Sequence, residues 1–158
     1  MLGHFGFSYM GLIYLVLLFV PNLAWAKQKP KGYSPEGENR VLRAFEMVGQ
    51  VSITVLVLIF TDFNYRPAGA WNVWLIASYL FMVLYEFCWL RYFKAPSMET
   101  FYGGFLGVPV PLATLPVCAF FLLGVYGRVG LLVVASVVLG VGHIGIHLGH
   151  LKAWKRKK

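Results

Sequence analysis

Five long apolar runs, parted by short loops, limit what this chain can fold into. They fall at roughly residues 5–26, 41–60, 71–93, 105–126 and 129–151. At about 1.5 Å of rise per helical residue, each is long enough to cross a hydrocarbon core roughly 30 Å thick. Composition agrees. Only 13% of the residues are charged and 59% are hydrophobic, where an average soluble domain is about 25% charged. Mean hydropathy is +0.69. The length leaves no room for a sizeable soluble domain. The expected fold is all-α: one integral membrane bundle of five transmembrane helices spanning residues 1–158.

The net charge of +8 sits at the ends of the apolar runs. That placement speaks for membrane topology and attraction to anionic lipid, and against nucleic acid as a partner. With the N-terminus outside, the loop from Lys27 to Arg43, the Arg91/Lys94 loop and the C-terminal tail put twelve Lys and Arg on the cytoplasmic side. Only Arg66 and Arg128 fall outside. The tail residues Lys152, Lys155, Arg156, Lys157 and Lys158 are the expected contacts to anionic headgroups. The expected location is the plasma (inner) membrane of a bacterium.

The first run ends in Ala24-Trp25-Ala26, which imitates a signal-peptide cleavage site. Its positive charges follow the apolar core instead of preceding it, so an uncleaved first span is expected. Ser34-Pro35 offers a helix start in the following loop. "TDFNYRPAGA" and "KAPSMETFYGG" read as loops, and Gly127-Arg128 as a very tight turn. The fourth run holds Pro109, Pro111 and Pro116 and should be kinked or irregular. Cys88 and Cys118 lie at different depths inside apolar runs, so no disulfide is expected.

Polar residues inside a span are costly, and they face a partner or a cavity. In the fifth run Ser136, His143, His147, His150 and Trp154 share one helical face. Gly142, Gly145 and Gly149 lie mostly on the other, where a neighbouring helix can approach. Arg43, Glu46, Gln50 and Thr54 align in the second run, and Tyr79, Met82 and Glu86 in the third. Asn22 follows Pro21 in the first. By depth these groups all fall in the cytoplasmic half of the bilayer. The expected ligand or proton pocket is therefore Asn22, Glu46, Gln50, Glu86, His143 and His147.

Three chemistries suit such a set. His143 and His147, at i and i+4, could hold a divalent metal ion completed by Glu86 or Glu46 from a neighbouring helix. One histidine could be an axial haem ligand. Imidazole and buried carboxylate could also relay protons. Plainer uses exist as well. His150 lies near the interface, Glu46 could pair with Arg43, His4 sits at the outer end, and the tryptophans fit interfacial belts.

"WAKQKPKGY" followed by "AFEMVGQ" resembles small uncharacterised bacterial membrane proteins, a likeness that covers the first two spans and implies location but no activity. In size, span number and aromatic content the chain is similar to the translocator-protein family of tryptophan-rich sensory proteins, in architecture alone, since that family's Trp-rich motifs do not occur. The expected function is a pocket that binds or transports a small ligand, ion or proton. Five spans are few for a lone transporter, so transport implies a homo-oligomer or a partner membrane subunit. The alternatives are a metal-dependent enzyme acting on a lipid-like substrate, or a structural or regulatory subunit. No serine nucleophile elbow, H-E-x-x-H or multiple histidine boxes accompany the enzyme reading.

Overall fold

The computed structural model describes residues 3–35, 37–67 and 69–157; Lys158 lies outside them. Among the described residues six α-helices follow one another: α1 Tyr9–Lys27, α2 Arg40–Ile59, α3 Val73–Lys94, α4 Met98–Tyr102, α5 Pro111–Gly127 and α6 Gly130–Lys155. Among the described residues the only extended pairings are two isolated bridges, Phe5 with Phe60 and Phe105 with Val108. Four stretches, Tyr9–Lys27, Arg40–Ile59, Ala70–Lys94 and Gly130–Lys155, are long and apolar enough to cross a membrane, and α5 is a shorter apolar helix. The chain is thus an all-helical, multi-pass membrane protein.

α1, α3 and α6 end, and α2 begins, at one pole of the bundle. Lys27, Arg40, Arg91, Lys94, Lys152 and Lys155 gather there. We call it the basic pole. The far pole is closed by the N-terminal segment. Gly6 N–H donates to the Ile59 carbonyl (2.9 Å), Ser8 N–H to Leu58 (3.0 Å) and Thr61 N–H to His4 (3.0 Å). His4 also meets Asp62, its Nδ1 lying 2.9 Å from Oδ1.

Several boundaries move from where the sequence placed them. α2 starts at Arg40 and not near Ser34, because Asn39 caps it: its Oδ1 accepts from Val41 N–H (2.8 Å) and Leu42 N–H (3.3 Å). The fourth span begins at Pro111 instead of residue 105. Leu106 and Val110 adopt positive φ of 50° and 41°, which no α-helix accommodates, and Pro111 then starts the helix with its φ already set. α5 is therefore 17 residues, about 26 Å long. The loop after α3 folds into α4, a single turn with a capping box between Ser97 and Thr100. Gly127 and Arg128 do form the tight turn into α6, with Arg128 left-handed.

Glycine sets the helix spacing that matters most. A Cβ on Gly142 would collide with the backbone of Glu46 and Leu42, and one on Gly49 with that of Leu139. α2 and α6 therefore lie backbone to backbone, antiparallel. Gly145 faces the Leu42 side chain, whereas Gly149 has no neighbour within 4 Å. Nearer the far pole the few buried polar groups are satisfied. The Ser78 hydroxyl lies 2.9 Å from that of Tyr14 and donates to the Ala119 carbonyl (2.7 Å). Both cysteines are free, as the sequence indicated.

Candidate functional site

The late start of α5 leaves a notch in the bundle at the basic pole. α4 tucks Phe101 and Tyr102 into it, both buried. Behind them lies a cavity of about 190 Å³, walled by side chains from every helix. Three histidines descend one wall on α6: His150, His147 and His143. Facing them are Glu38, Glu46 and Asn22, with Trp25, Tyr33 and Trp89 completing an aromatic surround.

Each histidine is held differently. His143 sits beside Glu46 because Gly142 presses α6 onto α2 at that residue, and its Nδ1 lies 2.5 Å from Glu46 Oε1. His147 packs against His143 one turn away, with ring centroids 4.5 Å apart and planes tilted by 57°, and touches the rings of Phe101 and Tyr102. Its Nδ1 is buried and has no hydrogen-bond partner among the described residues. His150 lies between the rings of Tyr33 and Tyr102, tilted 18° and 4° from them. Its Nε2 is 3.1 Å from Glu38 Oε1.

The aromatic surround is itself stacked. Trp25 lies parallel to Phe101 at 5.1 Å, with Tyr33 edge-on to both. Lys29 holds its Nζ over the Trp25 and Tyr33 rings. Burial pushes the Tyr33 and Tyr102 hydroxyls above their ordinary range, and the Glu38 carboxylate near both pushes further. Both stay neutral at physiological pH and can donate hydrogen bonds.

A second cavity of about 150 Å³ adjoins the first. Asn22, Leu112 and His143 line both. The rest of its wall is mostly apolar, including Leu18, Val117, Phe120 and Leu139, with Gln50 and the Tyr85 ring beside them. Asn22 and Gln50 are exposed on α1 and α2, so this cavity reaches the flank of the bundle between those helices. Asn22 Nδ2 donates to the Tyr85 hydroxyl at 2.7 Å.

Five of the six residues expected in the pocket are thus brought together: Asn22, Glu46, Gln50, His143 and His147. Glu86 is not. It lines neither cavity, and its Oε1 is buried without a hydrogen-bond partner among the described residues. α3 turns Tyr85, Trp89 and Tyr92 inward and leaves Glu86 on its side. The expected metal site of His143, His147 and Glu86 is therefore not formed. Among the described residues no group of three or more His, Cys, Asp or Glu is arranged to hold a metal ion.

Two other readings change. Trp25 and Trp89 are cavity walls, not members of an interfacial belt, and Trp89 is only 3% exposed. His150, expected to meet solvent or lipid phosphate, is held by Glu38 and two tyrosines. The signal that could have found this wall was the aromatic spacing Tyr85, Trp89, Tyr92 on α3, which puts three polar-tipped rings on one face. Of the tail residues expected at lipid headgroups, Lys152, Lys155, Arg156 and Lys157 are exposed at the basic pole. No family model matches the chain, and no curated protein or solved structure matches it.

Proposed function

We propose that this chain is a ligand-binding protein of a bacterial plasma membrane, with its N-terminus outside and its basic pole in the cytoplasm. Twelve Lys and Arg toward the basic pole against two at the far pole support that orientation. The ligand is small and sits in the cytoplasmic half of the bilayer. One observation carries the reading: the cavity in which His143, His147 and His150 face Glu38 and Glu46 within aromatic walls. Polar groups this costly to place within a membrane bundle pair across the wall of a shared space, His143 with Glu46 and His150 with Glu38. The imidazole of His143 and the carboxylate of Glu46 share one hydrogen bond at the cavity wall.

The test is extraction. Protein purified from its own membrane is denatured in organic solvent and the released small molecules are identified by mass spectrometry, wild type beside His147→Phe. The phenyl ring keeps the packing against Phe101 and Tyr102 but fills the cavity without a polar atom. A molecule released in near-equal amount with the wild type and absent from the variant supports the reading. Identical extracts from the two proteins overturn it.

A further inference from the structure

Five helices line both cavities, and on each of them the residues appear in the same axial order. α1 gives Leu18 and Phe19 to the apolar cavity and Trp25 to the polar one, with Asn22 between. α2 gives Gln50, then Glu46. α3 gives Tyr85, then Trp89. α5 gives Phe120, Val117 and Pro116, then Leu112 to both. α6 gives Leu139, then His143 to both, then His147 and His150. The two cavities are therefore stacked along the bundle axis, the apolar one deeper and open to the flank at Asn22 and Gln50.

We infer that they hold one amphiphile between them: a neutral, planar ring bearing acceptor oxygens in the polar chamber, and an apolar tail passing through the lower chamber to the lipid. The class of molecule with those properties is an isoprenoid quinone. This rests on the ligand-binding reading above and narrows it.

Each attribute has its own support. Planarity follows from the walls, where Trp25 lies parallel to Phe101, and His150 lies nearly parallel to Tyr33 and Tyr102. A flat ring extends such a stack with offset or edge-on contacts. Acceptor oxygens follow from unmet nitrogens. Trp25 Nε1, Trp89 Nε1 and His147 Nδ1 line this chamber, and all three are buried without a hydrogen-bond partner among the described residues. The indoles lie near the Tyr92 and Tyr85 hydroxyls without reaching hydrogen-bond geometry. Buried polar groups left unmet are costly, and a carbonyl oxygen would satisfy the two indole N–H groups and, with the His147 proton on Nδ1, the imidazole as well. Neutrality follows from the pairing of Glu38 and Glu46 in the wall, which among the described residues lining it offers no free cationic partner to a fatty-acid or phosphate head. Both are already matched by His150 and His143, which leaves little to attract a cation. The tail follows from Leu18, Val117, Phe120 and Leu139 continuing the space toward the flank.

The experiment uses the full chain in phosphatidylcholine nanodiscs and two probes. One is a methyl naphthoquinone without a tail; the other carries the same ring with a short isoprenoid tail. Binding is read as quenching of tryptophan fluorescence, with Trp71 and Trp74 replaced by Phe to lower the background, and concentrations are expressed as mole fraction in the lipid. The tailed quinone should quench at roughly tenfold lower mole fraction than the bare ring. Val117→Phe, which fills the lower chamber, should erase that difference. Gln50→Phe narrows the flank from an exposed position, so it does the same without a buried change. His147→Phe should abolish quenching by both. Equal binding of the two probes overturns the two-chamber amphiphile but leaves a ring-binding pocket. No binding of either, with a different molecule extracted from the wild type alone, overturns the quinone and keeps the pocket. No binding and identical extracts overturn both.

Discussion

His143 joins the two chambers and is tied to α2 by one side chain. Its ring and the Glu46 carboxyl are each about a quarter exposed (27% and 25%), so water does not screen the pair away. Replacing His143 with Ala leaves that carboxyl without its partner, which should cost about 1–3 kcal/mol. Glu46→Gln, which can still hydrogen-bond, should cost less. The double variant Glu46→Ala/His143→Ala should be more stable than the sum of the single losses implies, with a coupling of roughly 0.5–3 kcal/mol in detergent-solubilised thermal unfolding. Strict additivity would mean that the two residues do not interact. At the far pole, Asp62 gives a pH dependence. Burial pushes its carboxyl up, but the His4 backbone N–H and imidazole outweigh that and hold it below its ordinary 3.8. The folded pKa is the lower one, so the stabilisation is fully present above pH 3.8 and is lost as the pH falls below it. Asp62→Asn should flatten that acid limb of the melting-temperature profile.

Among the helices, spacing between α2 and α6 governs the site. Gly142→Val puts a branched side chain against the Glu46 backbone and must push the helices apart. The expected loss is about 1–3 kcal/mol, along with weaker retention of any extracted ligand. Gly149→Val, on the same helix with open space around it, should leave both within error. If the two behave alike, close helix approach is not what positions His143. The sequence made part of this legible. A small residue at 142 beside a polar one at 143 indicated a packed face next to a functional one. It could not show which way α3 turns. That helix is apolar or aromatic nearly all round, so Glu86 and Tyr85, one position apart, were equally eligible to face inward. Packing against α1 decided for Tyr85, through Asn22. Nor could the apolar run at 105–126 reveal that its first residues are loop. Hydropathy is blind to the left-handed turns at Leu106 and Val110, and those turns create the notch that α4 and the cavity occupy.

For the whole molecule, the all-α class was readable from run length, because the bilayer dictates it. Run length gave five spans, where four stretches are long and apolar enough to cross a membrane and α5 is shorter. The orientation proposed from the charge distribution can be checked directly. A cysteine placed at Lys152 should react with a membrane-impermeant maleimide in inverted vesicles only, and one at Tyr65 in right-side-out vesicles only. The reverse pattern would put the basic pole outside and remove the cytoplasmic assignment. The native thiols offer little interference, since Cys88 is fully buried and Cys118 half-buried within their helices.

The clasp at the far pole has a consequence for how the protein is made. α1 is fastened there by backbone bonds to residues 58–61, which the ribosome delivers only after the second crossing has been synthesised. The polar chamber waits longer still. Its first wall is Asn22 and its last is His150, with Glu38, Glu46, Trp89 and Tyr102 arriving between them. A nascent chain that has not yet reached His150 lacks the full wall of the chamber, so occupancy by a ligand waits until α6 has been made. A ligand present during biogenesis would capture only molecules whose six helices are in place, favouring them by mass action and giving quality control a chemical mark of assembly.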